Sequence, residues 1–146
     1  MAKNQANQFV SLLEGWFTKL PPLSPKVREV IVSITPWYAL IFGALGLISS
    51  IGALGLLSTL PAIFAVSGYT SYAGYGIVYG ILGIASSALL LAAFPGTKAK
   101  KMSGWNFLFW SEVVGTVSAV IAVSAVGVVF AAVGFYLIFQ IKSYYK

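Results

Sequence analysis

From Val30 to Thr97 the chain contains no Lys, Arg, Asp, Glu or His. A helix or strand that meets water needs a polar face, so a charge-free run of this length excludes an ordinary soluble fold. The stretch from Met102 to Ile141 is almost as bare, with Glu112 as its one residue of those five types. Composition agrees: 59% of residues are hydrophobic, 8% are charged and the mean hydropathy is +0.91. An all-α integral membrane protein is expected. The sequence states location far more plainly than activity.

The number of spans follows from length and punctuation. A hydrocarbon core about 30 Å thick takes roughly 20 helical residues. The first charge-free stretch is too long for one span and is interrupted by Ser58-Thr59-Leu60-Pro61 and Ser67-Gly68-Tyr69-Thr70-Ser71. The second would be about 60 Å long as one straight helix, so it must turn back near Ser124 to Gly127. A four-helix bundle over residues 36–146 is predicted, with spans at 36–57, 72–94, 105–123 and 126–141. The last of these is short, which leaves open one span plus an interfacial helix from Met102 to Ile141.

Charge sets the orientation. Lys3, Lys19, Lys26 and Arg28 precede the first span, Lys98, Lys100 and Lys101 lie between the second and third, and Lys142 and Lys146 follow the fourth. All nine basic residues therefore fall on one side, which by the positive-inside rule is the cytoplasm. The net charge of +6 reads as this bias plus attraction to anionic headgroups, not as a nucleic-acid surface.

Residues 1–35 form a cytoplasmic amphipathic segment. Phe9, Leu12, Leu13, Trp16, Phe17 and Leu20 make one helical face that ends at Pro21-Pro22. A second short helix is predicted from the Ser24 cap and Pro25 to the residue before Pro36. Both suit the membrane surface, although a helix that docks on a partner has the same pattern. Phe9, Trp16, Phe17, Trp37 and Trp105 are expected as interfacial anchors, since amphipathic rings favour the headgroup level. The apolar start is too long for a signal peptide and lacks a small-residue cleavage site, so the first span is expected to stay uncut.

Within the spans, small residues mark packing seams, because close backbone approach replaces the hydrophobic drive that lipid does not supply. Gly43, Gly46, Ser50 and Gly52 belong to the first span, Gly76, Gly80 and Gly83 to the second, and Ser111, Gly115 and Ala119 to the third. Tyr69, Tyr72, Tyr75 and Tyr79 form a stripe that serves as an aromatic belt or lines a path. Trp37 and Trp105 open a faint echo between the two halves.

Without His, Cys or Asp, a metal site, a haem ligand and most acid–base chemistry have no residues to use. No cofactor and no enzyme activity are expected. An intramembrane hydrolase would need Ser86, Ser87 or Ser118 with a base from another helix, and no such base is placed by the sequence. Glu112 is the one candidate for chemistry. It lies about 10 Å along the helix from Trp105, and a carboxylate at that depth requires protein or water around it. Its candidate partners are Ser111, Thr116, Lys100, Lys101, Asn106 and Gln140.

The segments 24–40, 94–111 and 139–146 are similar to those of an uncharacterised family of small four-helix bacterial membrane proteins. The resemblance covers most of the chain and implies the architecture and a bacterial cytoplasmic membrane. It implies no activity, substrate or cofactor. Two functions are therefore expected: a non-enzymatic scaffold or accessory subunit, or a small homo-oligomeric transporter or channel with Glu112 as its proton or cation site. The partners are the lipid bilayer and a further copy or a membrane protein, and not nucleic acid.

Overall fold

The computed structural model describes residues 2–59 and 70–146, with side chains described for 4–56 and 76–146, and among these residues it is all-helical without strands. The helices are α1 (Ala2–Phe17), α2 (Pro25–Thr59), α3 (Thr70–Lys98), α4 (Met102–Ile121) and α5 (Ala125–Ile141), followed by a 3-10 turn at Lys142–Tyr144. The breaks expected around residues 60–69, and the side chains of Tyr69, Tyr72 and Tyr75, lie outside the described residues. Three helical stretches are long and apolar enough to cross a membrane, Pro25–Leu56, Gly76–Lys98 and Ala125–Tyr144, which suggests a membrane protein. The chain's outward face agrees: Ile34, Ile41, Leu45, Ile48 and Leu56 of α2 all stand exposed.

One expected boundary is wrong. The helix that opens at Pro25 does not end before Pro36 but runs through it, so the expected interfacial helix and first span are a single element. Pro36 removes the bond to the Val32 carbonyl. Breaking the helix in apolar surroundings would expose more backbone groups than that one, and Thr35 reinforces the adjoining rung by donating Oγ1 to the Ile31 carbonyl at 2.6 Å. Ser24 does cap this helix, its Oγ accepting from the Val27 N–H at 3.4 Å. Pro95 is accommodated similarly near the end of α3, where the Thr97 hydroxyl bonds the Ala93 carbonyl at 2.9 Å and the Phe94 carbonyl at 3.0 Å.

α2 packs along α3, α3 along α4, and α4 more lightly against α5, while α2 and α5 barely touch. Small residues sit where α2 meets α3. A side chain at Gly80 would strike Leu54, one at Gly83 would strike Ser50, and one at Gly43 would come within 2.9 Å of Leu91. Gly115 has no such neighbour, only Ser86 Oγ at 4.0 Å, and Gly52 meets nothing. Gly76 is half-buried. The tightest crossing was not anticipated: at the α3–α4 hairpin a Cβ on Gly96 would lie 2.5 Å from the Gly104 backbone.

The turns after α3 and α4 share one cap. At the end of α3, Lys101 N–H reaches the Gly96 carbonyl at 2.8 Å and Lys100 N–H the Thr97 carbonyl at 3.1 Å. At the end of α4, Ser124 N–H reaches Ala119 at 3.0 Å and Val123 N–H reaches Val120 at 2.9 Å. These are Schellman pairs, which place one residue in the left-handed region; here that residue is Lys100 in one turn and Val123 in the other, both at φ 52°. Ser124 then caps α5 by accepting from the Gly127 N–H at 3.1 Å. The reversal expected near Ser124 is present, one or two residues earlier than the range 124–127.

The core lies at the end where the basic residues gather. Trp105 and Phe109 are 1% and 0% exposed and stack at 5.5 Å, with Phe135 and Phe139 of α5 against them. Trp105 is therefore a core residue and not an interfacial anchor. Its indole Nε1–H donates to the Ile138 carbonyl at 2.9 Å, one of the carbonyls left free in the last turn of α5. Trp37, by contrast, stands exposed with its ring 6.3 Å from Phe94, so the two tryptophans of the sequence echo do different work.

α1 folds back onto the same core. Val10, Leu13 and Phe17 pack on it, Phe17 stacking on Phe139 at 5.7 Å. Glu14 meets Lys142 at 2.5 Å, and Tyr136 donates its hydroxyl to the Pro21 carbonyl at 2.6 Å. The expected single apolar face thus divides in two. One stripe docks on the chain's own α4 and α5, with Phe9 at its edge, its ring 6.2 Å from Phe109, and a second, Leu12, Trp16 and Leu20, points outward with Trp16 67% exposed. The C-terminus is tied to the same end, Met102 N–H bonding the Lys146 carbonyl at 2.8 Å and Lys146 N–H the Lys100 carbonyl at 3.0 Å.

Candidate functional site

Glu112 projects from the middle of α4 toward α5, and what it meets there is the absence of a side chain. A Cβ on Gly134 would lie 2.6 Å from Glu112 Cδ and overlap the carboxylate. The two residues are each eleven positions from Val123, the left-handed residue of the connecting turn. An antiparallel hairpin brings such equidistant positions level. Gly134 was not among the expected packing glycines, because the turn expected at 124–127 would have set Glu112 level with residues 136–142 instead.

Beside this pair lies a cavity of about 300 Å3, lined by Thr35 and Tyr38 of α2, Leu108 and Glu112 of α4, and Phe130 and Gly134 of α5. Its remaining walls are aliphatic, from Ile31, Ile34 and Leu137 among others. Thr35, Leu108 and Ile141 close the floor and are buried, whereas Ile34, Phe130 and Val133 at the rim are exposed, Phe130 to 72%. The rim residues come from α2 and α5, the two helices with little contact between them, so the cavity opens sideways through that seam.

The expected partners of Glu112 are employed elsewhere. Thr116 donates Oγ1 to the Glu112 backbone carbonyl at 2.7 Å and leaves the carboxylate untouched. Ser111 is buried and exchanges hydrogen bonds with Ser86 of α3, Ser111 Oγ to the Ser86 carbonyl at 3.0 Å and Ser86 Oγ to the Ser111 carbonyl at 3.1 Å. This clamp ties α3 to α4 on the side away from the cavity. Gln140 accepts from the Leu23 N–H at 3.2 Å, Asn106 is exposed, and Lys100 and Lys101 lie exposed in the turn before α4. The only ion pair among the described residues is Glu14–Lys142, whose ammonium also sits 5.2 Å over the Trp105 ring.

Among the described residues, then, the Glu112 carboxylate has no hydrogen-bond donor and no cation. Its neighbours are apolar, apart from the Thr35 and Tyr38 hydroxyls that share the cavity. No group of three His, Cys, Asp or Glu stands together among the described residues, so this is not a donor set for a metal ion. Of the serines weighed as nucleophiles, Ser86 is held by Ser111 and Ser87 is buried against Gly46, its Oγ 2.5 Å from where a Cβ there would stand.

Comparison with known proteins finds no matching family model, no matching curated protein and no matching solved structure.

Proposed function

We propose that this chain is a small, non-enzymatic, multi-pass protein of a bacterial cytoplasmic membrane that works as a transporter or channel, with Glu112 as its proton or cation site. The basic residues gathered at one end of the helices support an orientation with both termini and the 98–101 turn on the cytoplasmic side. α4 completes a four-helix bundle, packed between α3 and α5 with Glu112 half-buried there. The resemblance of segments 24–40, 94–111 and 139–146 to small four-helix bacterial membrane proteins supports the setting.

One observation carries the reading. A carboxylate within a membrane helix is costly, and this one faces a cavity without donor or counter-charge. A structural tie would have used the nearby Thr116 or Ser111 hydroxyl, and both are turned to backbone groups. In sealed proteoliposomes the wild type is expected to carry proton-coupled cation flux that Glu112→Gln abolishes, with extraction and melting unchanged. A wild type inactive across a broad panel of cations overturns the proposal.

The outward stripe Leu12, Trp16 and Leu20 favours a second reading, an accessory subunit that presents α1 to a partner or to lipid. Extraction in lipid nanodiscs followed by intact-mass analysis separates the two. A second polypeptide at fixed stoichiometry supports the accessory reading; this chain alone, or in copies of itself, supports the transporter.

A further inference from the structure

The cavity has a chemistry of its own. It is too apolar to replace the hydration shell of a small inorganic cation, which needs several oxygen ligands, and it offers one carboxylate. An anion would be repelled by that carboxylate. A neutral apolar molecule would fill the walls and leave the charge unmatched. A proton alone would neutralise Glu112 but would need no cavity of 300 Å3. The occupant that satisfies both features has a hydrophobic body and a single diffuse positive charge. Tyr38 and Phe130 on the walls add ring faces that attract such a charge.

The route is equally specific. The rim opens between α2 and α5, and its exposed residues are Ile34, Tyr38, Phe130 and Val133, apolar but for the Tyr38 hydroxyl. A ligand that already partitions into lipid meets no charged barrier on that path. The size, at the lower end of ligand pockets, suits one ring with a compact ammonium head. Resting on the reading of Glu112 as a proton or cation site, we propose that the α2–α5 cavity binds a lipophilic monovalent ammonium ion, taken from the membrane through the seam and held by the Glu112 carboxylate. Gly134 is the positioning residue: its missing side chain gives the carboxylate its place beside the cavity.

The test uses the full chain in lipid nanodiscs and dicyclohexylcarbodiimide, an apolar reagent that adds to protonated carboxyl groups, with labelling read by intact mass. Benzyltrimethylammonium is the probe, and neopentylbenzene, its neutral carbon isostere, is the control. Labelling of wild type that is absent in Glu112→Gln is expected, slowed by about tenfold or more by the cation and not by the isostere. Glu112→Asp, which keeps the charge, guards against loss of fold and is expected to retain cation protection. Labelling of Glu112 that neither compound slows, or that both slow equally, overturns the ammonium site while leaving Glu112 as an accessible carboxyl. No labelling of Glu112 overturns both this proposal and the reading it rests on.

Discussion

Glu112 and Gly134 face one another across the α4–α5 hairpin so closely that a methyl group on Gly134 and the carboxylate cannot both occupy their places. Gly134→Ala must therefore push the carboxylate aside, and because the atoms it meets are the far end of a flexible side chain with a cavity beside it, the shift costs little. Gly134→Ala is expected to keep the melting temperature in nanodiscs near wild type and to lose Glu112-dependent flux, whereas Gly115→Ala, with only Ser86 Oγ at 4.0 Å, leaves both near wild type.

Trp105 joins α4 to the free end of α5 through its indole. Trp105→Phe keeps much of the ring packing but leaves the half-buried Ile138 carbonyl without this donor, at a cost of about 1 kcal/mol. A unfolding titration in mixed detergent should show that loss, and Trp37→Phe, at an exposed ring, should show little.

Val123 occupies the left-handed position of the turn after α4 with a β-branched side chain, 90% exposed and without packing to compensate. Such a conformation costs an L-residue about 1–2 kcal/mol. Val123→Gly is expected to raise stability by about 1 kcal/mol after the entropic cost of glycine, read as a higher melting temperature.

The two stripes of α1 separate by mutation. Phe17→Ala removes a ring stacked on Phe139 and is expected to release α1, seen as faster amide exchange over residues 4–17. Glu14→Gln should weaken the docking by less than about 1 kcal/mol, since its pair with Lys142 is part-exposed. Trp16→Ala should leave exchange unchanged, because that ring touches none of the docking core.

The distribution of charged and apolar residues pointed by itself to helices long and apolar enough to cross a membrane, to a reversal near Ser124, and to Glu112 as the single carboxylate that stands out. These follow from the cost of placing charge in hydrocarbon, which acts on each residue locally. Tertiary structure decided the rest. Pro36 passed through a helix because its surroundings make an open backbone worse than one lost bond. Trp105 became core because α5 covers it and Trp37 remained exposed, a difference that residue type does not carry. The split of α1 has the same origin, for Phe17 and Trp16 are alike in hydrophobicity and differ only in which side α5 covers. The cavity at Glu112 depends on the level at which α4 and α5 pair and on how little α2 and α5 touch, and such distances between helices are set by packing rather than by any one segment's composition.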